Sequence, residues 1–232
     1  MHCIECPESD TTPPEMEYGV AGRSARAEYE RRAAKREATI TERWGTGFAA
    51  KVVQALSTEP QSTRAWAIGA AGEEKLAREL ASVPGLQVLN DRRVRGSMGN
   101  LDHIVIAPAG VFVVDAKNHK GTVELRNRGW FLRPDHRLTI GGRDCSTMAD
   151  KMGWQVEAVL AALVDADPMP PVTPILCFLE ADWPLFGAPD VFRGVRLESN
   201  RSLKRRLVGQ AVLDDVRISE LAAVLSVALP AK

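Results

Sequence analysis

The sequence predicts an α/β protein with a three-layer core whose elements follow in the order α-β-β-β-α-β. Apolar residues recur at helical spacing over residues 63–82 and again over residues 147–164. Runs typical of strands lie between and after these helices, as an alternating pair over 101–117 and an apolar stretch over 172–179. Helices before and after a set of strands favour a sheet covered on both faces.

A tail and a helical arm are expected to precede this core. Residues 1–20 are rich in acids and prolines and carry no Lys or Arg, so we expect a disordered acidic tail. Residues 21–60 are assigned to a helical arm, with one helix over 22–44 capped by Ser24 and a second over 47–56. The second helix is expected to pack Phe48, Val52 and Leu56.

The helix over 22–44 has two interpretations. Its apolar content is mostly alanine, and pairs such as Glu28 with Arg32 at i,i+4 favour a solvated surface helix. Its local excess of basic residues also makes it a candidate contact for a protein partner or a nucleic acid.

The remaining elements complete the predicted core. The strand pair is followed by inserted strands, and an amphipathic helix closes the chain. The predicted ranges are helix 63–82, strands 86–94, 101–106, 111–117, 121–125 and 130–133, helix 147–164, strand 172–179 and helix 219–229.

Composition narrows the class of protein. The formal net charge of the 232 residues is zero, so attraction to nucleic acid must be local. No run approaches the roughly 20 apolar residues of a membrane helix, and the start lacks the features of a secretory signal, so we expect a cytoplasmic protein without membrane contact. The pair Cys3 and Cys6 lacks a second pair that would complete a zinc site, so a redox or metal sensor is a weak alternative.

The hairpin over 101–117 carries charges on strands that otherwise look buried. Alternation places Asp102 on the face of its strand that holds Ile104, and Asp115 and Lys117 together on one face of the next strand. Charges are seldom buried without a partner or a metal. Two carboxylates and an ammonium that converge here predict a cation site with a basic group beside it.

A third acid is expected to face inward from the preceding helix. Glu73 shares a stripe with Leu76, Ala77 and Leu80, whereas Glu74 faces Arg78 as an ordinary surface pair. An unpaired inward carboxylate would be costly, so Glu73 is expected to belong to a site.

Four segments in this order resemble the nuclease-related domain (NERD) branch of the PD-(D/E)XK nuclease superfamily. They are residues 69–74, residues 101–103, residues 110–117, and Trp154 with Gln155. The resemblance is clear over roughly residues 60 to 165 and implies a restriction-endonuclease-like core with inserted strands. It assigns residues 61–232 to a NERD nuclease-like domain whose motif core is 61–165.

The resemblance implies a metal-dependent catalytic site. Asp102 and Asp115 would be the principal ligands of Mg²⁺, or of Mn²⁺ in its place, and Glu73 would support the metal directly or through water. Lys117 would lie near the attacking water and the scissile phosphate. The family most often has Glu where this chain has Asp115. Gln155 would contact the nucleic-acid backbone or the water, or else be a core amide bonded to backbone.

Two basic stretches are candidates for phosphate contacts, which dominate non-specific affinity for DNA. The first stretch, residues 92–95, adjoins the hairpin. The second spans residues 193–206, where a solvated helix face is an equally good interpretation. Lys151, on the helix predicted over 147–164, is a separate candidate. The residues expected to bind nucleic acid are Arg92, Arg93, Arg95, Lys151, Arg201, Lys204 and Arg205.

The predicted function is a metal-dependent nuclease that hydrolyses phosphodiester bonds in DNA processing or repair, with DNA favoured over RNA. The alternative is a catalytically inactive nucleic-acid-binding or scaffold module that keeps the nuclease-like fold.

Overall fold

The computed structural model describes residues 16–56 and 60–232 and confirms the α/β class. Fifteen elements follow along these residues: α1 (Arg23–Trp44), α2 (Phe48–Leu56), α3 (Gln61–Ala81), β1 (Gln87–Arg93), β2 (Asn100–Ala107), β3 (Gly110–Asn127), β4 (His136–Ile140), β5 (Arg143–Asp144), α4 (Ser146–Asp150), α5 (Met152–Ala162), β6 (Val172–Asp182), β7 (Val191–Phe192), β8 (Val195–Ser199), α6 (Asn200–Leu207) and α7 (Asp215–Ala228). No helix in these ranges is long and apolar enough to cross a membrane.

A mixed sheet forms the middle layer, in the strand order β1-β2-β3-β6-β8-β7. The first three strands are antiparallel neighbours, β6 pairs in parallel with β3 and β8 in parallel with β6. Helices cover both faces. Leu76 of α3 and Leu203 of α6 pack on one face, and Val159 of α5 and Leu221 of α7 pack on the other. The predicted three-layer core is therefore confirmed.

The inserted region differs from the prediction. Residues 121–125 continue β3, but residues 130–133 form an exposed turn, and β4 returns from it to pair with β3. The turn is tight: a Cβ on Gly129 would lie 2.0 Å from the carbonyl oxygen of Arg133. The predicted helix over 147–164 is divided at Lys151 into α4 and α5.

Part of the expected tail is ordered against the sheet. The backbone N–H of Asn90 donates to the carbonyl of Tyr18 at 2.7 Å, and Met16 packs on the core. The tail prediction therefore does not hold for residues 16–20, while residues 1–15 lie outside the described residues.

The arm is joined to the core at the start of α1. Ser24 is not the cap; its backbone N–H donates to Asp91 of β1 at 2.7 Å, and the N–H of Gly22 donates to Glu73 of α3 at 3.1 Å. Carboxylates at a helix N-terminus satisfy free N–H groups and the helix dipole. The packing expected of α2 is only partial, since Phe48 is 83% exposed, Val52 is half-buried and the side chain of Leu56 lies outside the described residues.

Arg92, expected to contact nucleic acid, is instead a core residue. Its side chain is fully buried and donates to the carbonyls of Glu17, Ser226 and Leu229 at 2.6–2.8 Å. A guanidinium used in this way ties the end of α7 to β1, so the prediction for Arg92 is wrong. Its neighbours Arg93 and Arg95 are exposed.

Candidate functional site

The two hairpin carboxylates meet where β2 and β3 stop pairing. The last partners are His103 and Val114, so the next position along the same register sets Asp102 opposite Asp115. Beyond this point Asp115 and Lys117 remain paired with β6. Asp102 is half-buried and Asp115 is 7% exposed. The opening of the hairpin leaves room for a ligand beside both acids.

The charges of this pair are only partly balanced. Lys117 donates to Asp115 in an ion pair. Burial, then the nearby carboxylates of Asp115 and Glu73, raise the pKa of Asp102 well above its usual range. Burial alone would lower the pKa of Lys117, but Asp115 and Asp102 outweigh it and raise that pKa, so the lysine stays protonated. One ammonium thus serves two carboxylates in contact.

Glu73 lies inward on α3, as its helical stripe predicted. It is 8% exposed, and one of its oxygens accepts the hydrogen bond from Gly22. Burial, followed by repulsion from Asp91 and Asp115, raises its pKa to about 7. Glu73 is therefore poised between its neutral and charged forms near neutral pH, and it connects the arm to the site.

A cleft of about 480 Å³ joins these groups. Its lining comes from four elements: the start of α1, α3, β2 and β3. The residues are Ala25, Ala65, Trp66, Ile68, Gly69, Glu73, Asp102, Ala116, Lys117, Asn118 and His119. Three predicted site residues, Glu73, Asp102 and Lys117, thus line one cleft. The fourth, Asp115, forms an ion pair with Lys117.

Three further polar or aromatic residues of the cleft, Asn118, His119 and Trp66, were not predicted as site residues. Asn118 has a buried side-chain oxygen that finds no hydrogen-bond partner among the described residues, and its Cβ faces Gly72 of α3. Burial, then Lys117, lowers the pKa of His119. Asn118 and His119 directly follow Lys117 in the sequence, and this adjacency to a predicted site residue could have identified them. Trp66 lies two turns before Glu73 on α3, and this spacing, which places both residues on one face of the helix, could have identified it.

The donor set suits a hard cation that keeps much of its water. Within residues 16–56 and 60–232, no group of three or more His, Cys, Asp or Glu side chains is placed to hold a metal ion. The side chains of Asp102 and Asp115 are nevertheless in hydrogen-bond contact, so they offer two carboxylates to a cation. Ala116 lines the same cleft. Mg²⁺ is commonly held by one or two carboxylates with waters and substrate oxygens completing the octahedron. The pair fits such an ion, and Glu73 is committed to Gly22 through one oxygen.

Two other predicted or conspicuous side chains do not line the cleft. Gln155 is 6% exposed on α5, and its side-chain oxygen has no hydrogen-bond partner within the described part of the chain. His103 is buried and its Nδ1 lies 2.8 Å from the side-chain oxygen of Asn90. Burial lowers the pKa of His103 to about 4, so its ring is neutral at ordinary pH.

The remaining basic candidates lie outside the cleft. Lys151, Arg201 and Arg205 are exposed. Lys204 pairs with Glu79 of α3 at 2.5 Å. Its neighbour Arg206 pairs with the buried Glu198, so part of the positive charge of α6 is neutralised within the protein.

Glu73→Gln is expected to stabilise the metal-free protein at pH 8 by about 1–3 kcal/mol and to have little effect at pH 4. Folding raises the pKa of Glu73 from 4.5 to about 7, so the folded state keeps a proton that the unfolded state releases in this interval. Stability is therefore lost as the pH rises through it. Gln has no charge and keeps an acceptor for Gly22.

Thermal melts in chelator at both pH values test this expectation. Glu74→Gln, on the outer side of the same helix, is the control and should show no such gain. An equal effect of Glu73→Gln at the two pH values would contradict the assignment.

Residues 68–179 match the family model of the nuclease-related domain (NERD), which confirms the resemblance found in the sequence. Searches of curated proteins and of solved structures found no match.

Proposed function

Because residues 68–179 form a nuclease-related domain of the PD-(D/E)XK superfamily, we propose that the chain is a metal-dependent nuclease that hydrolyses phosphodiester bonds, preferentially in DNA. The observation that supports this most strongly is the contact of Asp102 with Asp115 beside Lys117, at the floor of an open cleft. A buried like-charge pair costs stability unless a cation occupies it.

Each side chain has a role in the proposed reaction. Asp102 and Asp115 would hold Mg²⁺ or Mn²⁺, which when bound supplies Lewis acidity to a phosphate oxygen and to water. Lys117 holds Asp115 in place and presents a permanent positive charge to the phosphate, where negative charge grows during attack. Glu73, with a pKa of about 7, can hold or release a proton at the cleft wall.

A second candidate function is a nucleic-acid-binding module without catalysis. The observation that favours it is the use of Glu73 as a cap for α1, which leaves two carboxylates rather than three for a metal. In that case Asp115 and Lys117 would be a structural ion pair.

Incubation with labelled single- and double-stranded DNA and RNA separates the two candidates. The full chain is expected to cleave DNA with Mg²⁺ or Mn²⁺ and to be inactive with chelator. Lys117→Ala should lower the rate about 100-fold or more, since it removes the charge next to the phosphate. Binding without cleavage under every metal condition would favour the inactive module.

A further inference from the structure

A groove runs along one side of α1 and adjoins the cleft at Trp66. It consists of a cavity of about 650 Å³ that shares Trp66 with the cleft and a cavity of about 620 Å³ that shares Arg31 with the first. We call the two cavities the arm groove. The α1 residues that line them recur at spacings of three and four from Arg23 to Ile40, so they form one stripe. At 1.5 Å per residue this stripe is about 25 Å long.

The arm groove is strongly basic. Among the described residues that line it, six side chains are cationic and one is a carboxylate: Arg23, Arg31, Arg32, Lys35, Arg36, Lys232 and Glu28. Glu28 bridges two of these cations, contacting Arg31 at 2.7 Å and Arg32 at 2.6 Å. The net charge of the chain is zero, so this excess is a local concentration of charge that fits a polyanion.

Trp66 lies at the junction between the arm groove and the cleft. Its side chain is 40% exposed, and the guanidinium of Arg32 lies 5.7 Å from its ring centroid. Glu73 follows two turns later on the same helix, and a Cβ on the intervening Gly69 would meet no atom of residues 16–56 or 60–232 within 4 Å. Trp66, Glu73 and Asp102 line the same cleft, so the ring and these two carboxyl groups border one space.

We propose that the arm groove binds single-stranded DNA and delivers it to the cleft. Phosphates would lie along the cations from Arg31 to Arg36, and one base would stack on Trp66. Aromatic rings beside cations are the usual platform for unpaired strands, whereas the bases of a duplex are already stacked on one another. Delivery rests on the proposed nuclease function, but binding of the strand does not.

Binding is measured in chelator, so that cleavage does not enter the result. The probes are a fluorescent 20-nucleotide oligo(dT) and a blunt 20-base-pair duplex, titrated with the full chain at several salt concentrations. The variants are Lys35→Glu with Arg36→Glu, and Trp66→Leu. The matched controls lie on the exposed turn between β3 and β4: Arg128→Glu with Arg133→Glu, and Trp130→Leu.

Wild type is expected to bind oligo(dT) at least about tenfold more tightly than the duplex. The double variant Lys35→Glu with Arg36→Glu should bind oligo(dT) about tenfold or more weakly. A plot of the logarithm of its association constant against the logarithm of salt concentration should be less steep by about 1.4, because two phosphate contacts are lost. The control double variant should match wild type in both quantities. Trp66→Leu should lose about fivefold or more. It should also lose the quenching of tryptophan fluorescence by oligo(dT), which Trp130→Leu keeps.

The inference fails if the arm-groove variants melt like wild type and bind oligo(dT) as tightly, or if the duplex binds better. The first result would leave α1 as a solvated helix or a contact for a protein, and the second would refute the preference for an unpaired strand. Strand binding by the arm groove in a chain that never cleaves would instead refute the nuclease function alone.

Discussion

Asp102→Asn is expected to lower the cleavage rate by about 1,000-fold or more and to make the metal-free protein more stable. The variant loses a carboxylate oxygen that would hold the cation. Its stability rises because burial and the neighbouring acids oppose ionisation of Asp102, which Asn cannot undergo. The side-chain amide of Asn can also donate a hydrogen bond to Asp115. Cleavage rates with Mn²⁺ and thermal melts in chelator provide the two measurements.

Asp190→Asn is the matched control. The side chain of Asp190 is 79% exposed, and the residue directly precedes β7, the strand at the opposite edge of the sheet from β1. It should change neither quantity. Loss of stability in Asp102→Asn together with retained cleavage would identify a structural charge cluster in place of a metal site.

Arg92→Ala is expected to lower the free energy of unfolding by about 3–5 kcal/mol, and the melting temperature by about 10 °C or more. The fully buried guanidinium donates to three backbone carbonyls, and its removal leaves these acceptors unpaired and a cavity between β1 and α7. Chemical denaturation of the full chain gives the measurement.

The adjacent, exposed Arg93 provides the control, and Arg93→Ala should change stability by less than about 0.5 kcal/mol. Where Arg92→Ala does not yield folded protein, Arg92→Lys should fold with lower stability, because it keeps a charge but loses the fork of donors. Native stability in Arg92→Ala with weakened DNA binding would restore the role predicted from the sequence.

The sequence was sufficient where structure depends on neighbours along the chain. The alternation in the hairpin correctly set Asp102 against Asp115 beside Lys117, and the stripe on α3 correctly turned Glu73 inward. These inferences depend only on the period of a strand or a helix, which tertiary packing preserves.

Distant contacts account for what the sequence could not reveal. The arginines of residues 92–95 look alike, but only Arg92 meets a carbonyl 137 positions away at the end of α7. Strand β8 was missed because its alternation is masked by Glu198, a buried acid that becomes tolerable only through Arg206 on the next helix. Besides Glu73, α1 is anchored by Asp91, whose backbone is left-handed at φ 47°, and no local pattern marks this second acid.

The most direct test of the cation site is a calorimetric titration of Mn²⁺ into the full chain and its variants. One saturable site per chain is expected in wild type and in Lys117→Ala, and its loss is expected in Asp102→Asn and in Asp115→Asn. No binding to wild type, or binding to both Asn variants as tight as to wild type, would contradict the assignment of Asp102 and Asp115 as the carboxylates that hold the metal.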